Sequence, residues 1–183
     1  MTNRVLFVIG FTIFKDEELL QPKEEFEKNG FAVDICSYKI GPVNGLKKAE
    51  INIELTVDDI NVQDYDAIVL LGDIDEELFE NKRVIEIVKE AYKNNLIIGA
   101  SYRTPVILAN AGILDEKRAT VWIEDKDILE EQGGYYTGAS MEIDGNIITT
   151  DGPHSAKMFA QKIIEMLKEK KWIWKKLMII FMK

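Results

Sequence analysis

The stretch GASYRTPVILANAGIL, residues 99–114, decides how this sequence is interpreted. The apolar run NLIIGA that leads into it is typical of a short buried strand, and Pro105 suits the first position of a helix. Strand, small-residue turn and helix in this order form a nucleophile elbow, the sharp turn on which many α/β enzymes present their nucleophile. The apex here is Tyr102, followed by Arg103. The stretch therefore has the shape of the motif without its usual nucleophile.

The composition indicates one ordinary globular domain and excludes several classes of site. The chain has 183 residues, of which 46% are apolar and 30% charged, and its net charge is -9. An acidic chain of this kind does not suit general nucleic-acid binding, which needs a basic face. With one cysteine, Cys36, and one histidine, His154, the sequence excludes a disulfide, a cysteine zinc cluster and most histidine-rich metal sites. We expect no metal and no cofactor.

Strands and helices alternate along the first two thirds of the chain. Apolar runs predict strands in RVLFVIGF, FAVDICSY, YDAIVLLG and LIIGA, with a further half-exposed strand in AEINIELTV after turn signals in GPVNG. Helices are predicted in DEELLQPKEEFEKNG and LFENKRVIEIVKEAYKNN. This alternation implies a parallel sheet with right-handed crossovers.

The later part of the chain adds a hairpin and a long helix. RATVWIED is a short strand candidate, and the Asp144-Gly145 pair in MEIDGNIITT predicts a hairpin. HSAKMFAQKIIEMLKEKK is a clear amphipathic helix. We predict a three-layer α/β sandwich of the flavodoxin-like kind, a doubly wound, mostly parallel sheet with a small hairpin, formed by residues 1–171.

Five stretches in order resemble the ThiJ/PfpI superfamily, the class I glutamine-amidotransferase-like group of proteases, amidases and glyoxal-handling proteins. They are VLFVIGFTIFKDEELLQP, GFAVDICSY, DYDAIVLLGD, GASYRTPVILANAGIL and IDGNIITTDGPHSAKMFAQKIIEML. The resemblance implies a cysteine nucleophile where this chain has Tyr102, and a glycine where it has Thr104. It also implies an acidic partner of that cysteine on the first helix, a position that Glu18 matches.

The oxyanion loop of these relatives, a proline followed by two glycines, corresponds here to Leu71, Gly72 and Asp73. The Asp73 carboxylate would bring negative charge to a place where negative charge develops in the family's reaction. A free tyrosine is roughly thirty-fold less ionised at pH 7 than a free cysteine. Tyr102 is thus a poor nucleophile, and we expect the elbow to be kept for the fold, with its apex in a sparsely populated backbone region.

The remaining polar residues of the site have structural and functional interpretations. We expect Glu18 to accept a hydrogen bond from the Tyr102 hydroxyl or to pair with Arg103, with a general base as the alternative. Arg103 could instead bind a small anionic ligand, together with Gly72, Asp73 and Thr104. Ser101 and Thr104 flank the apex without an evident base.

The chain's single cysteine and single histidine have mostly structural interpretations. Cys36 is expected to be a buried, inert thiol. We interpret His154 as a surface residue at a helix start rather than as a base.

Two classes of function remain open. The first is a binding or structural module without cysteine-dependent catalysis. The second is a hydrolase (protease or amidase), or a glyoxalase or deglycase-type enzyme, with a non-standard site. Fold alone does not choose between them.

The last twelve residues, WIWKKLMIIFMK (172–183), form an apolar tail after the predicted domain. We expect a homo-oligomer, a dimer or larger, with the tail packed on its own domain or across the interface. Membrane attachment ranks lower because the segment is short. The amino terminus lacks the features of a signal peptide, which indicates a cytoplasmic protein.

Overall fold

A seven-stranded sheet forms the centre of the protein, in a computed structural model that describes residues 2–72 and 75–181. Its strands are β1 (Arg4–Ile9), β3 (Ala32–Ser37), β6 (Leu55–Thr56), β7 (Ala67–Leu71), β8 (Ile97–Ser101), β11 (Met141–Asp144) and β12 (Ile147–Thr150). They lie in the order β11, β12, β8, β7, β1, β3, β6. Neighbours are parallel except β11, which pairs with β12 as an antiparallel hairpin. The predicted doubly wound, mostly parallel sheet is confirmed.

Helices cover both faces of this sheet. They are α1 (Asp16–Lys28), α2 (Glu76–Glu80), α3 (Lys82–Lys93), α4 (Pro105–Asn110), α5 (Lys126–Glu131) and α6 (Ala156–Phe181). One apolar core lies between the sheet and α1 and α6, where Phe7, Phe26 and Phe159 are fully buried. The other lies beneath α2, α3, α4 and α5. Sheet and helices form the three layers that the sequence predicts.

Two small sheets complete the fold, and they correct part of the sequence interpretation. One contains β2 (Ile13–Phe14), β4 (Gly41–Gly45) and β5 (Glu50–Ile53), and the other pairs β9 (Arg118–Ala119) with β10 (Tyr135–Tyr136). GPVNG is thus strand β4 rather than a turn. AEINIELTV is split, because β5 pairs with β4 whereas β6 pairs with β3 of the central sheet. Only the first two residues of RATVWIED are in a strand.

The predicted helix over residues 78–95 is also two helices. Asn81 separates α2 from α3, and its side-chain oxygen accepts hydrogen bonds from the backbone N–H groups of Arg83 (3.0 Å) and Val84 (3.2 Å). A side-chain oxygen that caps two free N–H groups begins a new helix. The apolar periodicity continues through this break, which is why it predicts one helix.

Close contact between α6 and β8 depends on a glycine. A Cβ atom added at Gly99 would lie 2.7 Å from Phe159 Cζ and 2.8 Å from Ile163 Cδ1. Such distances are shorter than van der Waals contact, so a larger residue would displace these side chains or push α6 away from the sheet. The strand that carries the elbow therefore packs directly on the long helix.

The apolar tail continues α6 without interruption as far as Phe181. Five of its described side chains are exposed, and Ile173, Trp174 and Leu177 among them line a groove against the domain. The five are Trp172, Ile173, Trp174, Leu177 and Met178. Whether the tail packs on its own domain or across an interface stays a prediction. No helix in the described part of the chain has the length and apolar character needed to cross a membrane.

Candidate functional site

The elbow lies at the carboxyl end of β8, near the middle of the sheet. Tyr102 follows the last residue of β8 and has a φ of 62°, in the left-handed region that a bulky residue rarely adopts. Its N–H donates to the Thr150 carbonyl and its carbonyl accepts from the Trp122 N–H, both at 2.9 Å. The prediction that the apex has a strained backbone is confirmed. These two contacts hold the apex against the ends of neighbouring segments.

Thr104 closes the turn from beneath. Its side chain is fully buried, and its hydroxyl oxygen accepts a hydrogen bond from the Ser101 N–H at 3.0 Å. The same hydroxyl lies 2.9 Å from the carbonyl oxygens of Leu70 and Ser101, either of which can accept its proton. The threonine that stands at the family's glycine position thus links β8 to β7 by its side chain.

Glu18 lies directly below the elbow, but its partner is not one that we expected. It is buried in the first turn of α1, and its Oε1 accepts a hydrogen bond from the Ser101 hydroxyl at 2.7 Å. We predicted that Tyr102 or Arg103 would meet this carboxylate. Ser101 does so because its side chain points to the same face of the sheet as α1, whereas the apex side chain is turned outward. Ser101 itself is only 1% exposed, so a substrate could not reach its hydroxyl in this conformation.

The Tyr102 side chain lies under a cation and beside a second aromatic ring. The Lys15 ammonium is 3.5 Å from the centre of the tyrosine ring, and the Trp122 ring is 5.1 Å away at an angle of 56°. Both contacts are attractive, the first through the ring quadrupole and the second through tilted ring packing. The space next to the apex is therefore occupied by side chains of the protein itself.

Arg103 is engaged by a carboxylate that sequence reasoning missed. Its Nε and one terminal nitrogen (Nη2) donate to the two oxygens of Asp125, each at 2.7 Å. Asp125 is buried, and the fork-to-fork geometry is the strongest form of this ion pair. The expectation that Arg103 pairs with Glu18 is wrong. Because Asp125 binds the Arg103 guanidinium, this group is not placed to bind an anionic ligand as well. The sequence signal that could have predicted this partner of Arg103 is an acidic residue at the start of α5.

The loop after β7 contains the expected Gly72, with a φ of 146°. Asp73, which we assigned to the oxyanion loop and to ligand binding, lies outside the described residues. The next described residue, Asp75, is buried, and its carboxylate joins neighbouring segments of the chain at what we call the Asp75 corner. It accepts hydrogen bonds from the Phe11 N–H (2.8 Å), the Tyr38 hydroxyl (2.9 Å) and the Leu78 N–H (3.2 Å).

Two further observations show how closely the Asp75 corner is packed. A Cβ atom added at Gly10 would lie 2.5 Å from the Asp75 carboxylate. Burial and the bond to Asp75 raise the pKa of the Tyr38 phenol well above its usual value. Asp75 directly precedes α2, so an N-cap pattern in the sequence could have predicted its capping role but not its tertiary partners.

Cys36 and His154 have the structural roles that the sequence favours. Cys36 is fully buried at the end of β3, and burial raises the pKa of its thiol to about 12. At neutral pH this thiol is protonated and out of reach of a substrate. His154 is exposed at the start of the last helical region, and its Nε2 lies 3.3 Å from an Asp151 oxygen. Across residues 2–72 and 75–181, no group of three or more metal-ligating side chains is placed to hold an ion.

Comparison with known proteins identifies the family. The profile of the DJ-1/PfpI family matches residues 3–166. The chain belongs to the DJ-1/PfpI family. This match runs from the first strand of the DJ-1/PfpI domain into α6 and ends before the exposed tail.

Individual members of the family are similar to this chain over most of their length. The chain is 39% identical over 170 residues to the protein MJ0967 of Methanocaldococcus jannaschii, covering 91% of this chain and 83% of that one. It is 27% identical over 166 residues to a deglycase of Pyrococcus abyssi, with coverage of 90% and 99%. The crystal structure of a ThiJ/PfpI domain protein from Brachyspira murdochii superimposes with a TM-score of 0.88 at 30% identity, covering 92% and 98%.

Proposed function

We propose that this chain is a DJ-1/PfpI protein that acts as a cytoplasmic binding or structural module, without the cysteine-dependent chemistry that its resemblance to the superfamily implies. The observation that carries the proposal is the apex of the elbow. Tyr102 adopts the strained apex backbone, whereas the chain's one cysteine, Cys36, is fully buried on another strand. A protonated, buried thiol cannot replace the missing nucleophile.

The surroundings of Tyr102 support this proposal. A phenol needs a base to become a nucleophile, and the buried carboxylate below the elbow is hydrogen-bonded to Ser101. The cation next to the ring, Lys15, covers its face and so competes with a substrate for the same space. An apex held in this way stabilises the elbow rather than presenting a reactive group.

A ligand at this crevice would meet different residues from those first assigned. The Arg103 guanidinium is paired with Asp125 and Thr104 is fully buried, so neither is placed to hold a ligand directly. The cationic and aromatic groups at the mouth are Lys15, Tyr102 and Trp122. Together they suit a small anion with a planar group, whose charge would lie near the Lys15 ammonium and whose plane would pack beside the two rings.

The second candidate is a deglycase or glyoxalase-type enzyme that uses its site in an unfamiliar way. Two observations favour it. Glu18 occupies the buried position that the superfamily uses for the acidic partner of its nucleophile. The Pyrococcus abyssi relative, which matches 90% of this chain, is named a deglycase.

Assays of the purified chain separate the two candidates. Methylglyoxal, glycated amino acids and unfolded protein substrate are tested with the wild type and with Tyr102→Phe, which keeps the ring and removes the hydroxyl. We expect no turnover above the protein-free rate for either, and no effect of thiol alkylation. Wild-type turnover that Tyr102→Phe abolishes would establish the enzyme and refute the module.

Tyr102→Cys tests whether the rest of the machinery survives. We expect this variant to gain little activity, because the Glu18 carboxylate is already bound by Ser101 and Asp73 replaces an oxyanion-loop glycine. Family-like turnover from this single change would show that only the thiol is missing.

A further inference from the structure

The long helix α6 contacts the underside of the domain before its exposed end begins. The underside is the end of the central sheet where the parallel strands start. Three lysines of α6 donate hydrogen bonds there: Lys168 to the Asn29 side chain at 2.8 Å, Lys170 to the Asn95 carbonyl, and Lys171 to the Asn3 side chain. The helix therefore leaves the domain beside the starts of the strands, at the opposite end of the sheet from the elbow.

Three consecutive residues beyond these contacts are apolar and exposed. Trp172 is 58% exposed, Ile173 50% and Trp174 56%. Because successive residues of an α-helix point about 100° apart, these side chains lie on three different sides of α6. Leu177 and Met178, one turn further along, are 41% and 60% exposed. The described end of α6 is therefore apolar on several sides, and not only along the single stripe that packs a helix on a protein.

The concave surface beside the helix end does not cover all of these side chains. Grooves of about 690 Å³ and about 440 Å³ lie where α6 meets the underside, and Trp174 lines both of them. Trp172 lines neither groove. The charged residues of the grooves are of both signs: Lys162, Lys170, Glu165, Glu169 and Asp66. The grooves by themselves therefore select no charged partner.

The exposed end of α6 is basic, whereas the rest of the chain is acidic. Residues 170–183 contain five lysines and no acidic residue, so residues 1–169 carry a net charge of -14 in a chain of -9. Two of these lysines, Lys175 and Lys176, directly follow the tryptophans, and the Lys176 ammonium is 3.8 Å from the centre of the Trp172 ring. An anionic surface would attract this end and repel the remainder, so it would bind the chain in one orientation.

We propose that the end of α6, residues 172–181, attaches the protein to an anionic lipid bilayer. Lysine and tryptophan both favour the headgroup region, the lysines through anionic phosphate groups and the tryptophans through their amphipathic rings. A bilayer can surround a helix end, whereas a protein partner covers one side of it. At 1.5 Å per residue, this part of α6 is about 15 Å long, which is half of the roughly 30 Å of a hydrocarbon core. The helix end would therefore enter one leaflet.

Membrane attachment goes beyond the proposed function and stands whether or not the elbow is catalytic. The sequence alone ranks it below association of two copies, because the segment is short. Exposure of apolar side chains on three sides of the helix reverses that order. A protein attached in this way would hold the elbow on the side away from the bilayer, where a water-soluble ligand can reach it.

Sedimentation of the full chain with lipid vesicles tests the role of charge. Vesicles of phosphatidylcholine with phosphatidylglycerol present an anionic surface, and phosphatidylcholine alone presents a neutral one. We expect the wild type to bind the anionic vesicles at least about ten-fold more tightly, and added salt to weaken this binding. Lys175→Glu combined with Lys176→Glu should weaken it at least about twenty-fold, because each lysine near an anionic surface contributes roughly five-fold.

The matched control changes the same charges at the other end of the sheet. Lys39 follows β3 and Lys126 begins α5, and both are exposed with weak surface ion pairs. Lys39→Glu combined with Lys126→Glu gives the same net charge as the α6 variant. We expect it to weaken binding to the anionic vesicles by less than about three-fold, because these lysines lie more than a Debye length from the surface.

A second pair of variants tests the apolar contribution. Trp172→Ala combined with Trp174→Ala should weaken binding to the anionic vesicles at least about ten-fold, because both rings leave the headgroup region. Ile40→Ala combined with Ile123→Ala is the control, since these side chains are 63% and 51% exposed near the carboxyl end of the sheet. This control should weaken binding by less than about two-fold.

Several outcomes would overturn the proposal. They are a wild type that binds neither kind of vesicle, equal binding to both kinds, or equal effects of the α6 variants and their controls. A wild type that ignores vesicles and forms a dimer that Trp174→Ala dissociates would assign the helix end to a second copy instead. Circular dichroism checks the fold of each variant, and Lys175→Gln with Lys176→Gln replaces the charge reversal should that variant unfold.

Discussion

The two ends of the central sheet are built on opposite principles. At the carboxyl end, buried polar side chains hydrogen-bond to one another. Thr104 links two strands, and Ser101 donates to Glu18. Arg103 donates two hydrogen bonds to Asp125. At the amino end, the exposed part of α6 offers an apolar face beside two open grooves. The first end is closed by its own residues, whereas the second leaves apolar surface in water.

The two ends of the sheet contribute differently to the stability of the fold. Removing one partner of a buried hydrogen bond leaves the other partner unsatisfied, which costs free energy. The hydrogen bonds around the elbow therefore stabilise it, although its apex is Tyr102 and not the cysteine that the resemblance implies. The tail lies beyond the region that matches the family, and its described residues 172–178 include five large apolar side chains that are between 41% and 60% exposed. The carboxyl end therefore stabilises the fold through buried polar contacts, whereas the described tail residues leave apolar side chains exposed.

The largest effect should come from Arg103→Ala. The change leaves Asp125 buried without its bidentate partner, and we expect the free energy of unfolding to fall by about 2–3 kcal/mol. Denaturant unfolding followed by circular dichroism measures it. Arg103→Lys keeps the charge but not the fork, so it should lose roughly half as much. A loss below about 0.5 kcal/mol for Arg103→Ala would show that this ion pair does not hold the carboxyl end.

Thr104→Val should have the next largest effect, with a loss of about 1–2 kcal/mol in the same measurement. Valine fills the same volume but removes the hydroxyl that accepts from the Ser101 N–H and donates to a carbonyl. Thr104→Ser keeps the hydroxyl and is the control, although it loses a buried methyl group. If the serine variant were less stable than the valine variant, packing rather than hydrogen bonding would dominate at this position.

Asp16→Asn should have a smaller effect that depends on pH. The backbone N–H groups of Lys47 (2.7 Å) and Ala49 (3.1 Å) bind this carboxylate and lower its pKa. A lowered pKa adds stability above the unfolded-state value of about 3.9, and this stability is lost as the pH falls through the lower folded-state value. The variant should be less stable than the wild type at pH 7, and the two should converge in acid.

The control for this prediction removes the same charge elsewhere. Asp58 is exposed in the short helical turn after β6, so Asp58→Asn changes the net charge equally without breaking those two bonds. Its stability relative to wild type should change little between pH 7 and pH 3. Parallel curves for the two variants would attribute the effect of Asp16 to net charge.

The smallest effect should come from Trp174→Ala, measured in the same denaturant unfolding experiment. The side chain is 56% exposed, so its removal should change the free energy of unfolding by less than about 0.5 kcal/mol. Trp172→Ala is the matched variant on the other side of the helix. A loss of about 2 kcal/mol or more at Trp174 alone would mean that this part of α6 belongs to the core of the domain.

Much of the fold and part of the site could be predicted from the sequence. The apolar runs located the parallel strands, and the Asp144-Gly145 pair located the hairpin, because burial and turn conformation leave local signals. The elbow and its strained apex could also be predicted, because strand, turn and helix follow one another directly along the sequence. The partners of Glu18 and Arg103 could not be predicted, since Ser101 is 83 residues from Glu18 and Asp125 is 22 from Arg103, and several polar residues were available to each.

The sequence by itself determined the alternation of strands and helices, the family and the identity of the apex residue, because each depends on residue types in order along the chain. Only the tertiary structure decided which side chains share a proton or a charge. It also decided that GPVNG extends as a strand and that Trp172, Trp174 and Met178 of the tail are exposed. The physical reason is the same in each case. Hydrogen bonds, strand pairing and burial depend on which distant segments meet, and the packing of the whole chain sets those meetings.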